Sequence, residues 1–325
     1  MHEPVLLQGP RGSGKTTLLR RELPGYIYVA LDDAGDRKRA RNDPAAFLAL
    51  LRGPAIVDDV QRAPELVQYL AQHPPSLPLI FASSVRLSLD VATFELYGPT
   101  RAERQGRPPL PLEMLGRFAP AHLAKSEIPS WPRMTWLLDQ DVRGLVEVHD
   151  MDRFEEFLLL AAKRSGELLH QQALASEIGV AHRTIVRWLD VLSACSLTLR
   201  LPPLPLTFGR RVVQRPKLHW LEESTAFESK VVSEIYRNAC HAGLRPRLWY
   251  WRDSNGLEVP LIIEADPESS LVPVAIAAAP NPADEVRLRR WMELAGASEG
   301  ALIAESAGRP DRRPGRVVRY ALSQL

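Results

Sequence analysis

The amino-acid sequence predicts an α/β protein in which an open parallel sheet comes first, a helical segment follows, and a second α/β domain ends the chain. Three observations support this fold class. A glycine-rich loop at Gly9–Thr16 lies between an apolar strand and a helix, and strand and helix patterns then alternate as far as Ser84. A helix-turn-helix pattern occupies 167–193, and two apolar strands lie within 257–277. We place the domains at 1–118, 119–218 and 219–325.

The composition is that of a globular protein. Of the 325 residues, 45% are hydrophobic and 25% are charged, which are ordinary values. No apolar run approaches the roughly 18 residues of a membrane span, and the N-terminus does not resemble a secretory signal. Cys195 and Cys240 are too few for a disulfide framework. We therefore expect a cytoplasmic protein with no membrane partner.

The charge distribution leaves two interpretations open. A net charge of +2 does not by itself indicate a nucleic-acid partner, but the arginines occur in clusters. Each cluster is either a solvated surface or a set of phosphate contacts, for which the planar guanidinium is well suited. The clusters lie in "RKRAR" at 37–41, at Arg101, Arg104 and Arg107, at Arg210, Arg211 and Arg215, and at Arg312, Arg313, Arg316 and Arg319.

The loop Gly9–Thr16 gives the strongest functional signal, because it matches the full G-x-x-x-x-G-K-[ST] pattern. The strand Val5–Leu7 precedes it and the helix starting at Thr16 follows. The glycines let backbone N–H groups surround phosphates, and the helix N-terminus adds its positive end. Lys15 is expected to reach the β- and γ-phosphates, and the Thr16 hydroxyl to bind Mg²⁺. The predicted ATP-binding residues are Gly9, Pro10, Arg11, Gly12, Ser13, Gly14, Lys15, Thr16 and Thr17.

An apolar strand that ends in Asp58 and Asp59 is typical of a Walker B strand. We expect Asp58 to hold Mg²⁺ through water and Asp59 to orient or deprotonate the attacking water. A later strand ends in Ser83 and Ser84, and one of them, with Ser83 as the first choice, is expected to sense the γ-phosphate; the alternative is a plain serine turn. The remaining predicted elements here are strands at Tyr26–Leu31 and Pro78–Ala82 and helices at Pro44–Leu51 and Glu65–Gln72.

The segment 167–193 has the spacing of a helix-turn-helix, with Gly179 at the turn and apolar residues in helical register on either side. Arg183, Thr184 and Arg187 fall on the outward face of the second helix and are predicted to contact DNA. Leu197–Leu201 and Arg210–Val213 are expected to form the two strands of a wing, with Arg210 and Arg211 on phosphates. The alternative is a lid or a protein-contact module.

The motifs occur in an order that resembles a widespread prokaryotic family of AAA-type ATPases. The similarity covers about 4–279 and includes "GPRGSGKTTLL", "YVALDD", "GPAIVDDVQRAPEL", "FASS", "ASEIGVAHRTIVRWLDVL" and "LWYWRDSNGLEVPLIIE". It implies a P-loop AAA-type parallel sheet, then a helical lid and a winged helix-turn-helix, then an α/β domain related to PD-(D/E)xK nucleases. It also implies a homo-oligomer, with a hexamer as one option.

Two departures from the family pattern affect catalysis. Asp59 stands where the family has glutamate, and the loss of one methylene withdraws the carboxylate by roughly 1.5 Å. Since a misplacement of about 1 Å can cost on the order of a hundredfold in rate, we predict ATP binding with slow hydrolysis. Gln140 stands where the family has an arginine. Arg107 matches a family glycine–arginine pair and is the alternative arginine finger.

The nuclease-type site is predicted to be inactive. Such a site needs an acid on one strand and E-x-K on the next, because two carboxylates hold Mg²⁺ and the lysine steadies the attacking water. The resemblance aligns Pro260 with the acid, Ala275 with the glutamate and Ala277 with the lysine. Proline cannot donate to a sheet ladder, so we expect Pro260 at an edge or an irregular point. The family acids that remain are Glu228 and Glu234.

Two functions follow from these expectations. The first is an ATP-dependent AAA-type ATPase that binds duplex or branched DNA and remodels it or moves on it in repair or recombination. The alternative is a slowly hydrolysing ATP-dependent switch or scaffold that recruits a partner, with no motor activity. Neither function includes nuclease activity. A further helix is predicted at 284–295, and the rest of 280–325 gives no functional signal.

Overall fold

The computed structural model describes residues 3–106, 151–221, 224, 226–264, 271–306 and 317–325. Arg107, Gln140 and the predicted helical lid lie outside these ranges. The described residues fall into two compact units, of which the first contains 3–98 and 190–196 and the second contains 99–106, 151–189 and the described part of 197–325. No helix within the described ranges is long and apolar enough to cross a membrane.

The first unit contains a five-stranded sheet in the order β2-β3-β4-β1-β5, and all its strands are parallel. The predicted parallel sheet is thus present, and the predicted strands and helices appear within a few residues of their expected bounds. Its elements are β1 Val5–Gln8, α1 Lys15–Glu22, β2 Ile27–Ala30, α2 Ala34–Asn42, α3 Pro44–Ala49, β3 Ala55–Asp58, α4 Pro64–Gln72, β4 Leu79–Ser83 and β5 Ala92–Glu95.

The central strands of this sheet are short apolar runs because both faces of a parallel sheet are covered. Leu6, Val57 and Phe81 are almost completely buried in one core. Two helices begin at aspartate caps, since the side chain of Asp33 accepts from the Asp36 N–H and that of Asp43 accepts from the Ala46 N–H. Parallel strands end at a common edge, so the residues that follow β1, β3 and β4 meet there.

The remaining described elements contain a helix-turn-helix and a second sheet. They are α5 Arg101–Arg104, α6 Met151–Lys163, α7 Gln171–Ile178, α8 His182–Ala194, β6 Thr198–Leu201, β7 Lys217–Trp220, α9 Phe227–His241, β8 Arg247–Arg252, β9 Glu258–Glu264, β10 Leu271–Ile276, α10 Pro282–Ala295, β11 Gly300–Ala304 and β12 Val317–Ala321.

The helix-turn-helix has the predicted residues at its turn and core. Gly179 ends α7 in the left-handed region with φ 73°, and its N–H donates to the Ala175 carbonyl at 3.0 Å. Ile185, Trp188 and Leu189 of α8 are buried, as their spacing predicts.

One predicted wing strand is wrong. β6 pairs antiparallel with β7, rather than with Arg210–Val213. The latter segment instead reaches the second sheet, where Val213 N–H donates to the Arg252 carbonyl at 2.9 Å. The second wing strand was expected at Arg210–Val213, whereas β7 begins at Lys217 and is buried at every position.

The second sheet has the order β12-β11-β10-β9-β8. The pairs β8–β9 and β9–β10 are antiparallel. The pairs β10–β11 and β11–β12 are parallel. Pro260 lies on β9, an interior strand, so the expectation of a sheet edge is wrong. The pairing of β8 with β9 shifts register between Trp249 and Trp251, and Pro260 lies at this bulge, the irregular point that a residue without an N–H requires.

Candidate functional site

The glycine-rich loop after β1 has a backbone that excludes other residues at two positions. Gly9 has φ 151° and lies close to Leu96, the residue that follows β5. A Cβ added to Gly9 would be 1.9 Å from the Leu96 carbonyl oxygen. Gly14 caps α1 in the left-handed region with φ 98°. These conformations turn the loop tightly before α1, so the N-terminus of that helix faces the loop.

The last two side chains of the motif have different partners, since Lys15 contacts the loop backbone and Thr16 contacts Asp58. The Lys15 ammonium is buried and donates to the carbonyls of Gly9 at 2.7 Å and Pro10 at 2.9 Å. The Thr16 hydroxyl donates to Asp58 Oδ2 at 2.5 Å. A threonine hydroxyl and a carboxylate in contact are oxygen ligands of the kind that Mg²⁺ takes together with phosphate oxygens and water.

Tyr28 is a site residue that the sequence did not reveal. Its hydroxyl donates to Asp58 Oδ2 at 2.8 Å. Burial and the hydrogen bond to Asp58 raise the pKa of Tyr28 above its ordinary value, so this tyrosine remains a donor at neutral pH. Tyr28 lies on β2, which pairs with β3 so that Ala30 is opposite Asp58. Tyr28 is two residues from Ala30 and so lies on the same face of the strand, which is the signal that could have identified it.

Asp59 is held by several partners. Its backbone has φ 56°, a left-handed conformation that aspartate tolerates better than most residues. Asp59 Oδ2 lies 3.5 Å from Arg11 Nη2 and 3.4 Å from Arg62 Nε. Asp59 Oδ1 accepts from Gln61 Nε2 at 2.9 Å, and the same nitrogen lies 2.9 Å from Ser84 Oγ as a donor. The second Walker B acid is thus linked to the loop, to the turn after β3 and to the end of β4.

The first choice between the two serines was wrong. Ser83 is fully buried, and its hydroxyl donates to the Val85 carbonyl at 2.6 Å while accepting from the Val85 N–H at 3.1 Å. Ser84 is the serine that lines the cavity. Successive side chains of a strand point to opposite faces, so only one of two adjacent serines can face the ligand side.

A cavity of about 320 Å³ joins these groups at the carboxyl edge of the parallel sheet. Gly12, Gly14 and Thr17 also line it, whereas the predicted residues Gly9, Pro10 and Ser13 do not. No group of three or more histidine, cysteine or acidic side chains within the described ranges forms a metal cage. The main polar side chains of the cavity belong to Arg11, Lys15, Thr16, Asp58, Asp59 and Ser84.

The predicted DNA contacts differ in their surroundings. Arg183 and Arg187 are exposed on α8, and Thr184 is partly buried. Arg211 is exposed, but Arg210 is committed elsewhere, because its Nη1 lies 2.7 Å from Oδ2 of Asp253, whose side chain has no exposed surface. A phosphate would have to displace this buried carboxylate, so the interpretation of Arg210 as a DNA contact is corrected.

A second cluster of charged residues lies in the second unit, next to Pro260 and Ala275. The Lys217 ammonium is 2.8 Å from Glu228 Oε1 and 2.5 Å from Glu258 Oε1, and its side chain is 4% exposed. Burial lowers the pKa of Lys217, but the two carboxylates outweigh burial and raise it, so the ammonium stays charged. A cavity of about 240 Å³ beside the cluster is lined by Glu228, Glu258, Pro260 and Ala275. Lys217 was missed, although it is a charged residue at the start of a strand that is otherwise apolar and aromatic.

Other charged and polar groups near this cluster have structural partners. Glu234 accepts from Arg237 at 2.7 Å and from the Arg101 N–H. His219 is fully buried, with Nδ1 3.0 Å from Ser229 Oγ. Burial, together with the charge of Lys217, lowers the pKa of His219 from 6.5 to about 3, so this imidazole is neutral at physiological pH.

Comparison with known proteins supports the class of the first unit. Residues 1–93 match a family described as an AAA domain, and 133–226 match a domain of unknown function. Uncharacterized proteins of Mycobacterium tuberculosis and Mycobacterium bovis are each 26% identical over 298 residues, covering 80% of this chain and 67% of the relative. The fold, the loop and the first match together support an AAA-type P-loop domain in the N-terminal unit, a class whose members generally bind and hydrolyse ATP.

Proposed function

We propose that this protein binds ATP with Mg²⁺ in the P-loop cavity, hydrolyses it, and works on DNA as a homo-oligomer that remodels DNA or moves along it. The convergence of Lys15, Thr16 and Asp58 on one cavity at the carboxyl edge of a parallel sheet carries the nucleotide part of the proposal. The DNA part is supported by the exposed arginines of α8.

The cavity residues divide the work of phosphoryl transfer. Lys15 places a positive charge on the β- and γ-phosphates, and the loop N–H groups bind the same oxygens. Thr16 and, through water, Asp58 would hold Mg²⁺, which would neutralise phosphate charge when bound. Tyr28 fixes the Asp58 carboxylate by its hydrogen bond. Asp59 would orient the attacking water, and Ser84, which lines the cavity, would donate to the γ-phosphate in place of Ser83.

The middle of the chain supplies the DNA contact in this proposal. The order α6-α7-α8-β6-β7 supports a winged helix-turn-helix, with α8 as the helix that enters the major groove. Arg183 and Arg187 lie one turn apart on its exposed face and would bind phosphates or base edges. Arg211 is a further exposed cation, on the segment that reaches the second sheet.

The C-terminal domain is proposed to be a degenerate PD-(D/E)xK fold without nuclease activity. The antiparallel pairing of β9 with β10 matches Leu261 with Val274 and so brings Pro260 and Ala275 to one end of the ladder. Both residues line the same cavity as Glu228 and Glu258. Lys217 neutralises these two acids, which supports a domain kept for shape or contact rather than for metal-dependent cleavage.

The decisive experiment measures ATP turnover by the full chain alone and with single-stranded, duplex and branched DNA. The proposal predicts that at least one DNA stimulates turnover. Turnover that no DNA stimulates would reject the motor and favour the second candidate, a slowly hydrolysing switch. The contacts of Asp59 with Arg11, Arg62 and Gln61 favour that candidate. They occupy the carboxylate oxygens that would otherwise bind the attacking water, so hydrolysis would be slow.

A binding assay tests the α8 contact separately. The double substitution Arg183→Ala/Arg187→Ala should reduce the slope of log affinity against log salt by roughly 2, since each phosphate that an arginine no longer neutralises lowers the slope by about 0.9. The matched control is Arg289→Ala/Arg290→Ala, which removes two exposed arginines from α10, outside the arginine clusters. Unchanged DNA affinity and salt dependence in the α8 variant would exclude this helix as the DNA-binding element.

A further inference from the structure

We propose that Arg11 is a positioning residue that restrains Asp59 until the terminal phosphate of a nucleoside triphosphate draws it away. The inference rests on the proposed function of the cavity. It assigns to a side chain of the phosphate-binding loop the task of coupling triphosphate binding to release of the water-orienting carboxylate.

The restraint comes from two sides of Asp59. Arg11 approaches Oδ2 from the phosphate-binding loop, and Arg62 approaches the same oxygen from the 3₁₀ turn Val60–Arg62. The side chains of Arg11 and Asp59 are 18% and 17% exposed, so solvent screens their attraction less than it would screen a pair on the open surface. Neither arginine sits at ideal hydrogen-bond distance, which leaves the pair open to competition from a better acceptor.

Few acceptor positions on Asp59 remain for water. A carboxylate has two oxygens and about four acceptor positions in all. Oδ2 faces two guanidinium groups, and Oδ1 accepts from Gln61 at 2.9 Å. The left-handed backbone at φ 56° fixes the direction of the short side chain. Release of the carboxylate therefore depends on movement of a partner rather than of Asp59 itself.

Arg11 is the partner that a nucleotide can reach. Of Arg11, Gln61 and Arg62, it is Arg11 that lines the cavity together with Lys15. A terminal phosphate offers more charge and more oxygens to the planar guanidinium than a single carboxylate does. A nucleoside diphosphate lacks that group. Triphosphate binding should therefore move Arg11, and diphosphate binding should leave it on Asp59.

The test compares steady-state ATP hydrolysis and equilibrium binding of ATP and ADP in the full chain. Arg11→Ala should weaken ATP binding by about fivefold, the equivalent of one partly buried ion pair, and leave ADP binding unchanged. It should not raise kcat, because saturating ATP already holds Arg11 away from Asp59 in the wild type. Asp59→Asn, which removes the competing carboxylate, should strengthen ATP binding by a similar factor in the wild-type background and should not do so in Arg11→Ala. Arg11→Lys, which keeps the charge, should retain part of the preference for ATP.

Arg41→Ala serves as the matched control, because it removes an arginine from the exposed ion pair with Glu65 in the same unit and should leave all these values unchanged. If Asp59→Asn changes ATP affinity by the same factor with and without Arg11, while the wild type binds and hydrolyses ATP, the restraint is overturned and the proposed function is left intact. A wild type that binds neither ATP nor ADP would overturn both.

Discussion

The protein contains two clusters of one lysine and two acidic residues, the first lining one cavity and the second in direct contact, and they differ in what the lysine contacts. The loop trio, in the first unit, consists of Lys15, Asp58 and Asp59. The buried trio, in the second unit, consists of Lys217, Glu228 and Glu258. Each draws its residues from separate elements of its unit, so neither cluster is a local motif alone.

The loop trio keeps its carboxylates at a cavity. The Lys15 ammonium donates to two carbonyls of its own loop, and Asp58 and Asp59 line the space of about 320 Å³ beside it. The hydroxyls of Thr16 and Tyr28 bind Asp58 without neutralising its charge. This arrangement leaves cationic and anionic groups in reach of a ligand that carries both phosphate and metal.

The buried trio joins its charges to one another. Lys217 lies within 2.8 Å of one carboxylate and 2.5 Å of the other, with 4% of its side chain exposed. Burial of a lysine is tolerated because the two acids keep it charged and bonded. The same residue types therefore support ligand binding when the lysine contacts the backbone, and a structural contact when it lies between the acids.

The largest expected effect tests the buried trio. Lys217→Met should lower the free energy of unfolding by about 3 kcal/mol, because it leaves two partly buried carboxylates facing each other without their cation. Chemical denaturation followed by circular dichroism measures this change. ATP affinity should stay at the wild-type value if the trio is purely structural.

A second substitution separates charge from packing at the same place. Adding Glu228→Gln to Lys217→Met removes one of the uncompensated charges and should recover part of the lost stability. If Lys217→Met alone leaves unfolding unchanged, or if the added Glu228→Gln destabilises further, the charge explanation for the buried trio is wrong.

The matching change in the loop trio should show the opposite pattern. Lys15→Met should reduce kcat/KM for ATP on the order of a hundredfold, since it removes a charge that stabilises the transferring phosphoryl group. The free energy of unfolding should change much less than in Lys217→Met. Lys38→Met, which alters an exposed lysine of α2, is the control. Wild-type turnover in Lys15→Met would remove the basis for the proposed nucleotide site.

The pH dependence of stability probes the surroundings of the buried trio. His219 lies 3.9 Å from Glu228, and burial together with Lys217 lowers its pKa to about 3. The unfolded chain binds this proton near pH 6.5, so stability contributed by His219 is full above that pH and is lost as the pH falls below it. Between pH 7 and pH 5 the loss should be about 2 kcal/mol.

Urea unfolding at both pH values measures this loss. His219→Gln should be less sensitive to the same pH change by that amount, whereas His182→Gln, at an exposed histidine, should behave as the wild type. Equal pH dependence in the wild type and His219→Gln would mean that the buried imidazole does not resist protonation.

The two clusters also differ in how far the sequence predicts them. Lys15 and Thr16 belong to one contiguous motif, and Asp58 ends an apolar strand, so the shared edge of a parallel sheet brings them together. The sequence could not decide between Ser83 and Ser84. Side chains alternate between the two faces of a strand, and an apolar run does not show which residue faces which side.

Lys217 could not be predicted from pattern alone. Its partners come from α9 and β9, and their approach depends on the pairing of β6 with β7, which the sequence also left unresolved. A long segment between paired strands carries no turn signal that sets the register. Contacts of this kind follow from tertiary packing rather than from residue spacing.

The smallest expected effect concerns the length of the second acid in the loop trio. Asp59→Glu extends the carboxylate by roughly 1.5 Å, toward the attacking water, and should raise kcat by about fivefold given the sensitivity of rate to placement. Glutamate tolerates the left-handed backbone at φ 56° less well than aspartate, so a small loss of stability should accompany the gain. Asp59→Asn, which suits the same backbone but lacks the charge, should lower kcat. If Asp59→Glu and Asp59→Asn lower kcat equally, the length of the carboxylate side chain does not limit turnover. The carboxylate of the loop trio would then be less accessible to its ligand than the contrast with the buried trio implies.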